Sequence, residues 1–285
     1  MLKHYVGYFL VFVLVGTSAQ AAPSLTERYL QQLASTHPEV VATIRTKAPL
    51  FLRILKWKKE VPTGMKVLKC GGLFATIFLS IVLFAVLHDQ YTVRISKEYF
   101  SEGFHKHNMK SFAPGLYDWL SKKNSPSLWG TAWGVIAGGV FAAMFAPILG
   151  AAAFVGPLPL IDMKDIAKPL GVALGMALAG SLVGAVFPAR IIDEELYKGS
   201  LRIDSPEVTG RVLDRYLCAQ KAHTGIYAGG FLGVATALVW VYAHRIMRLV
   251  RYKKEGKIAR RLLRQIEPTP ENEKALRWMH CLAKE

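Results

Sequence analysis

HDQYTVRISKEYFSEGFHKH, residues 88 to 107, holds three histidines, an aspartate, two glutamates and two tyrosines. Imidazole with carboxylate is the donor set of a zinc site, and less characteristically of a copper site. His88 and Asp89 stand where one apolar run ends. His223 stands where another begins, with Tyr227 one turn further along the same helical face. If those two ends lie on one side of a membrane, His88, Asp89, Glu98 and His223 are candidate ligands for zinc or copper. His105 and His107 add only a weak, loop-borne pair. The competing reading is a hydrogen-bonded polar cap that satisfies helix ends. No HExxH spacing fixes three ligands, so the residues leave both readings open.

Other chemistry is absent from the pattern. There is no phosphate-binding loop and no GxSxG elbow, so no enzyme is expected. Cys70, Cys218 and Cys281 are far apart, odd in number and without a CxxC pair, which supports neither a disulfide framework nor a zinc ribbon. The net charge is +16, from 36 basic and 20 acidic residues. No nucleic-acid-binding motif accompanies it. The basic residues lie beside apolar blocks, which points to membrane topology and contact with anionic lipid head groups rather than to nucleic acid.

The elements that must position these side chains are apolar and long. Hydrophobic residues make up 52% of 285, gathered into blocks at 71–87, 130–156, 169–188 and 225–243. None of the four contains Asp, Glu, Lys or Arg. A bilayer core takes about 17–25 apolar helical residues to cross. The chain therefore reads as an all-α membrane protein, a four-helix transmembrane bundle occupying 70–245. Residues 88–129 and 189–224 are expected as polar loops, 157–168 as a tight hairpin connection, and YTVRIS within the first loop as a short strand.

The flanks are basic and amphipathic. Residues 1–21 have a positive start, an apolar run from Tyr5 to Gly16 and an Ala-Gln-Ala pattern, the marks of a signal peptide or a signal-anchor helix. In the amphipathic segment 22–69, Ser24 and Glu27 form a capping box, and Pro38 and Pro49 suit the first turns of further helices. The stretch PLFLRILKWKKE either lies on a lipid surface or packs on the protein. The tail, 246–285, has the look of a lipid-surface helix, broken by Glu267-Pro-Thr-Pro. Residues 45–69 carry eight Lys or Arg and the start of the tail is similarly basic. The positive-inside rule then puts both flanks in the cytoplasm and the two polar loops outside. Cleavage after residue 21 conflicts with that placement. Retaining the first apolar run as a helix reconciles the two.

Small residues recur every fourth position: Gly130, Gly134, Gly138, Ala142, Ala146 and Gly150; then Gly171, Gly175 and Ala179; then Gly225, Gly229 and Gly233. Such ridges let helix backbones approach closely where lipid supplies no hydrophobic drive. They are read as packing seams, within one chain or towards a second copy.

Several stretches resemble an uncharacterised family of small bacterial multi-pass inner-membrane proteins. They are His88-Asp89-Gln90 with Thr92, Glu98-Tyr99-Phe100, Trp133 to Ala137, Asp165-Ile166 with Pro169, and Ala222-His223 with Tyr227, Gly230, Phe231 and Gly233. The likeness covers about residues 80–245. It implies a four-helix core in the bacterial inner membrane and brings no activity with it. The expected role is structural or interactive within the envelope, with a homo-oligomer or another membrane protein as partner. The alternatives are a small oligomeric channel or transporter, and an envelope metal-binding protein.

Overall fold

The computed structural model describes residues 24–61, 63–154, 161, 163–186, 203 and 208–284. The signal-like segment 1–21, residues 157–160 and 162 of the expected hairpin connection, and residues 189–202 and 204–207 of the second expected loop lie outside these residues. Every element among the described residues is helical, in chain order α1 Leu25–Thr36, α2 Pro38–Lys47, α3 Pro49–Glu60, α4 Thr63–Ile95, α5 Glu98–Ser101, α6 Gly103–Phe112, α7 Pro114–Lys123, α8 Pro126–Phe154, α9 Met163–Val186, α10 Gly210–Leu263 and α11 Glu273–Lys284. Four of them, α4, α8, α9 and α10, are long and apolar enough to cross a membrane. Among the described residues, the all-α architecture with four helices able to span a membrane is the one read from the sequence.

The chain divides into two compact units, residues 63–249 and the two flanks. The first unit contains the spans. Their facing sides bury Leu73, Ile77, Ala142, Ala146, Ala173 and Ala237 in one cluster. Their other sides leave Leu83, Val140, Leu182, Leu232 and Val239 exposed, apolar surface that suits lipid tails around it.

Glycine decides how closely the spans approach. A Cβ on Gly134 would stand 2.5 Å from the Val86 Cα, and one on Gly138 2.6 Å from the Ala85 Cβ, so α8 rests directly on the α4 backbone. On the other side, a Cβ on Gly225 would fall on the carbonyl oxygen of Gly180, and one on Gly229 on that of Met176. A Cβ on Gly233 would come 2.5 Å from the Ala173 oxygen. In α9 the seam register departs from the expected one. Gly171 and Gly175 meet nothing within 4 Å, whereas Gly180 and Gly184 press on α10. Two rows of small residues run along α9, and the spacing rule does not say which row faces a neighbour.

The expected polar loop at 88–129 is mostly helix. α4 continues past the apolar block through His88 and Asp89 to Ile95, so the segment read as a strand is its last turn and a half. The Ser96 N–H still donates to the Thr92 carbonyl at 3.1 Å. Backbone groups near the membrane surface are satisfied most cheaply by continuing the helix. α10 likewise begins at Gly210, well before the apolar block at 225, and runs for 54 residues.

The second unit joins the two flanks. Leu30, Leu33, Ile44, Phe51 and Leu55 pack with Leu263, Ala275 and Met279 in a core of their own. In PLFLRILKWKKE, Leu50, Phe51, Ile54 and Leu55 are all buried, which decides for packing over a lipid-surface role. Later in the tail, Leu263 and Ile266 are buried in the same core, while Ile246 and Val250 remain exposed on the outgoing end of α10. Pro38 and Pro49 open α2 and α3 as expected. Ser24 accepts from the Glu27 N–H at 3.2 Å, but the Glu27 carboxylate pairs with Arg45 rather than closing a capping box. At α3 the N-cap position is Ala48, which has no side-chain acceptor. The buried Glu255 carboxylate of α10 supplies one, accepting from the Phe51 N–H at 2.9 Å. An anion at a helix N-terminus meets both the orphan donors and the positive end of the dipole.

Candidate metal centre

Four elements meet at one end of the spans. α4 brings His88 and Asp89, α9 brings Ser181, α10 brings His223, and α8 supports them with Gly130 and Trp133. The glycine seams set the spacing. A Cβ on Gly130 would come 2.8 Å from the Asp89 carbonyl oxygen, and one on Gly184 would fall on the Lys221 carbonyl, next to His223. The seams and the polar cluster are therefore one construction.

Asp89 Oδ1 lies 3.0 Å from His88 Nδ1 and 3.0 Å from His223 Nε2. The far nitrogen of His88, Nε2, is 2.8 Å from the Ser181 hydroxyl and 3.4 Å from that of Thr92. Thr92 also donates to the His88 carbonyl at 2.9 Å. Exposure is 7% for His88, 3% for Asp89 and 4% for His223. One ligand atom from each of these three residues lies within 4.8 Å of the others. His223 Nδ1 is buried and has no hydrogen-bond partner among the described residues.

An aromatic collar closes over the imidazoles. The Tyr99 and Phe100 rings stand 4.8 and 5.5 Å from that of His223. His105 packs 4.4 Å from Tyr99 and 4.8 Å from Trp133, whose Nε1–H donates to the Phe100 carbonyl at 3.3 Å. Burial, with the neighbouring His223 adding to it, pushes the His105 pKa down to about 3, so this histidine is neutral at physiological pH. Burial likewise raises the Tyr99 phenol well above its ordinary range, reinforced by Tyr227, Tyr216 and Asp89. The collar is thus an uncharged lid over an ionisable group.

Of the four candidate ligands, three converge. The fourth, Glu98, does not: its carboxylate accepts from the Ser96 hydroxyl at 3.0 Å. α4 ends at Ile95 and α5 restarts at Glu98, and Ser96 between them both holds that carboxylate and accepts from the Tyr99 N–H at 3.3 Å. Sequence reasoning missed Ser181. It is the lone hydroxyl in the apolar block 169–188, and a lone polar group in a lipid-embedded helix is a signal that could have found it.

The cluster borders a cavity of about 70 Å³ between the spans. Apart from His88, Asp89, His223 and Tyr227, its walls are apolar, among them Phe84, Phe141, Leu174 and Ile226.

At the opposite end of the unit lies a second polar group of different make-up. Arg245, fully buried, donates to the Ala152 carbonyl at 2.5 Å in the last turn of α8. Arg248 pairs with Asp165 at 2.7 Å, and His244 stands 3.8 Å from the same carboxylate. On α10 the step from His223 to Arg245 is about 33 Å at 1.5 Å per residue, close to the roughly 30 Å of a bilayer's hydrocarbon core. No family model, curated protein or solved structure matches the chain.

Proposed function

We propose that this chain is a multi-pass membrane metalloprotein whose spans hold one divalent transition-metal ion, zinc by preference, between His88, Asp89 and His223. The carrying observation is the pair of 3.0 Å separations from Asp89 Oδ1 to two imidazole nitrogens in a buried site. Ligand atoms about 2.0–2.2 Å from a tetrahedral ion are separated by about 3.4 Å. An expansion of a few tenths of an ångström would admit the ion. Two imidazoles and one carboxylate form a three-ligand set that leaves a fourth position open. His88 Nε2 against the Ser181 hydroxyl has the form of the outer contact that fixes a ligating imidazole. A carboxylate among apolar spans is costly to keep ionised, and a divalent cation offsets that cost.

The test is metal content. Protein purified in detergent after growth with zinc should carry one equivalent, and Asp89→Asn or His223→Ala should lose it while retaining helical content. Wild-type protein that stays metal-free and takes up neither zinc nor cobalt in titration would leave the cluster as a hydrogen-bonded knot.

The same reading includes a bacterial inner-membrane location with the C-terminus in the cytoplasm. Two features support it. Both flanks build one core, so they lie on one side of the membrane, as an even number of intervening spans demands. That side is the basic one. The basic flanks would contact anionic head groups. Alkaline phosphatase fused after residue 285 should be inactive, and a fluorescent protein at the same place bright; the reverse pattern would invert the topology.

A further inference from the structure

Resting on the metal reading, we infer that the cavity beside His88, Asp89 and His223 binds a lipid-soluble carboxylate of the fatty-acid type, its head group completing the ion's coordination and its chain extending towards the bilayer. Three observations converge. The first is position: all three proposed ligands line the cavity, so the open coordination site faces it. The second is the wall chemistry. Phe84, Phe141, Leu174 and Ile226 offer a chain only apolar contact. Away from the polar end the walls offer none of the two to four polar partners a water needs, so that part of the cavity suits an apolar guest. The third is the mouth. Tyr227 lines the cavity yet is 41% exposed, and Phe231, one turn along α10, is 52% exposed. Both sit on the lipid-facing side of a span. At about 70 Å³ the cavity takes a head group and the first carbons, not a whole lipid. The remainder of the chain would lie past Tyr227 among bilayer acyl chains.

Charge selects the head. A divalent ion with one carboxylate and two neutral imidazoles leaves the site with one net positive charge. In a low-dielectric setting a monoanionic ligand removes it. A carboxylate does so with oxygen, which zinc accepts at about 2.0–2.2 Å.

The experiment uses the full chain in a nonionic detergent, loaded with cobalt, whose visible bands report coordination. Dodecanoate, acetate and dodecanol are titrated separately. The inference expects dodecanoate to shift the bands at a concentration about tenfold or more below acetate, since even a few buried methylenes supply that factor. Dodecanol should leave them unchanged. Leu174→Trp, which fills the cavity, should erase the preference for dodecanoate over acetate and keep the cobalt bands. Ile226→Trp on another wall serves if Leu174→Trp does not fold. Cobalt bands indifferent to dodecanoate, or equal responses to dodecanoate and acetate, would overturn the ligand assignment and leave the metal site standing. Absence of cobalt bands in wild-type protein would overturn both.

Discussion

Each end of the span unit buries a polar cluster, and the two are built to opposite effect. At one end Arg245 and Arg248 are permanently charged, and each is matched to a fixed acceptor, the Ala152 carbonyl and the Asp165 carboxylate. A guanidinium has no lone pair to offer a metal, and the one carboxylate there is already held by Arg248. At the other end one carboxylate serves two imidazoles, groups that bind protons and metals, and a cavity opens beside them. Buried charge is therefore not in itself a sign of function in a membrane protein. What separates anchor from site is whether the partners saturate one another or leave ligand capacity facing open space.

That contrast can be broken in graded steps. Asp165→Asn should have the largest effect on stability, about 3 kcal/mol, because it takes the opposite charge away from the largely buried Arg248 guanidinium. The estimate allows for Asp165 being 32% exposed, and the measurement is thermal unfolding in detergent. Saturating zinc comes next. It should stabilise wild-type protein by about 2.7 kcal/mol at a hundredfold excess over its dissociation constant and do nothing for Asp89→Asn; an equal shift in both would disconnect the ion from the cluster. Gly130→Ala should cost about 1–2 kcal/mol by overpacking, since its Cβ would stand 2.8 Å from the Asp89 carbonyl oxygen. It should weaken zinc binding at the same time. His244→Ala should be nearly silent, below about 0.5 kcal/mol, as its 3.8 Å contact with Asp165 is a third exposed.

The legible part of this structure follows from what composition encodes. Charge-free apolar blocks specify spans because the bilayer penalises nearly every other arrangement. His88, Asp89 and His223 were readable because polar residues at block edges must end up near one another if the blocks are antiparallel neighbours. Glu98 was misread because a single residue between α4 and α5, Ser96, captures its carboxylate locally. Gly171 and Gly175 were misread because α9 carries small residues on more than one face, and only the partner helix distinguishes them. The flanks were ambiguous for a related reason. An amphipathic helix announces that its apolar face is covered but not by what, and the cover for Phe51 and Leu55 lies more than two hundred residues away.

The Glu255 cap on α3 has a consequence for biosynthesis. The acceptor of the Phe51 N–H is 204 positions downstream. At about 5–20 residues per second a ribosome needs roughly 10–40 seconds to make that stretch. Throughout that interval α3 lacks this cap, and the part of the early flank's apolar face that Leu263, Ala275 and Met279 cover stays open. A chain terminated before the tail would keep that part of the face bare, as a mark for proteolysis.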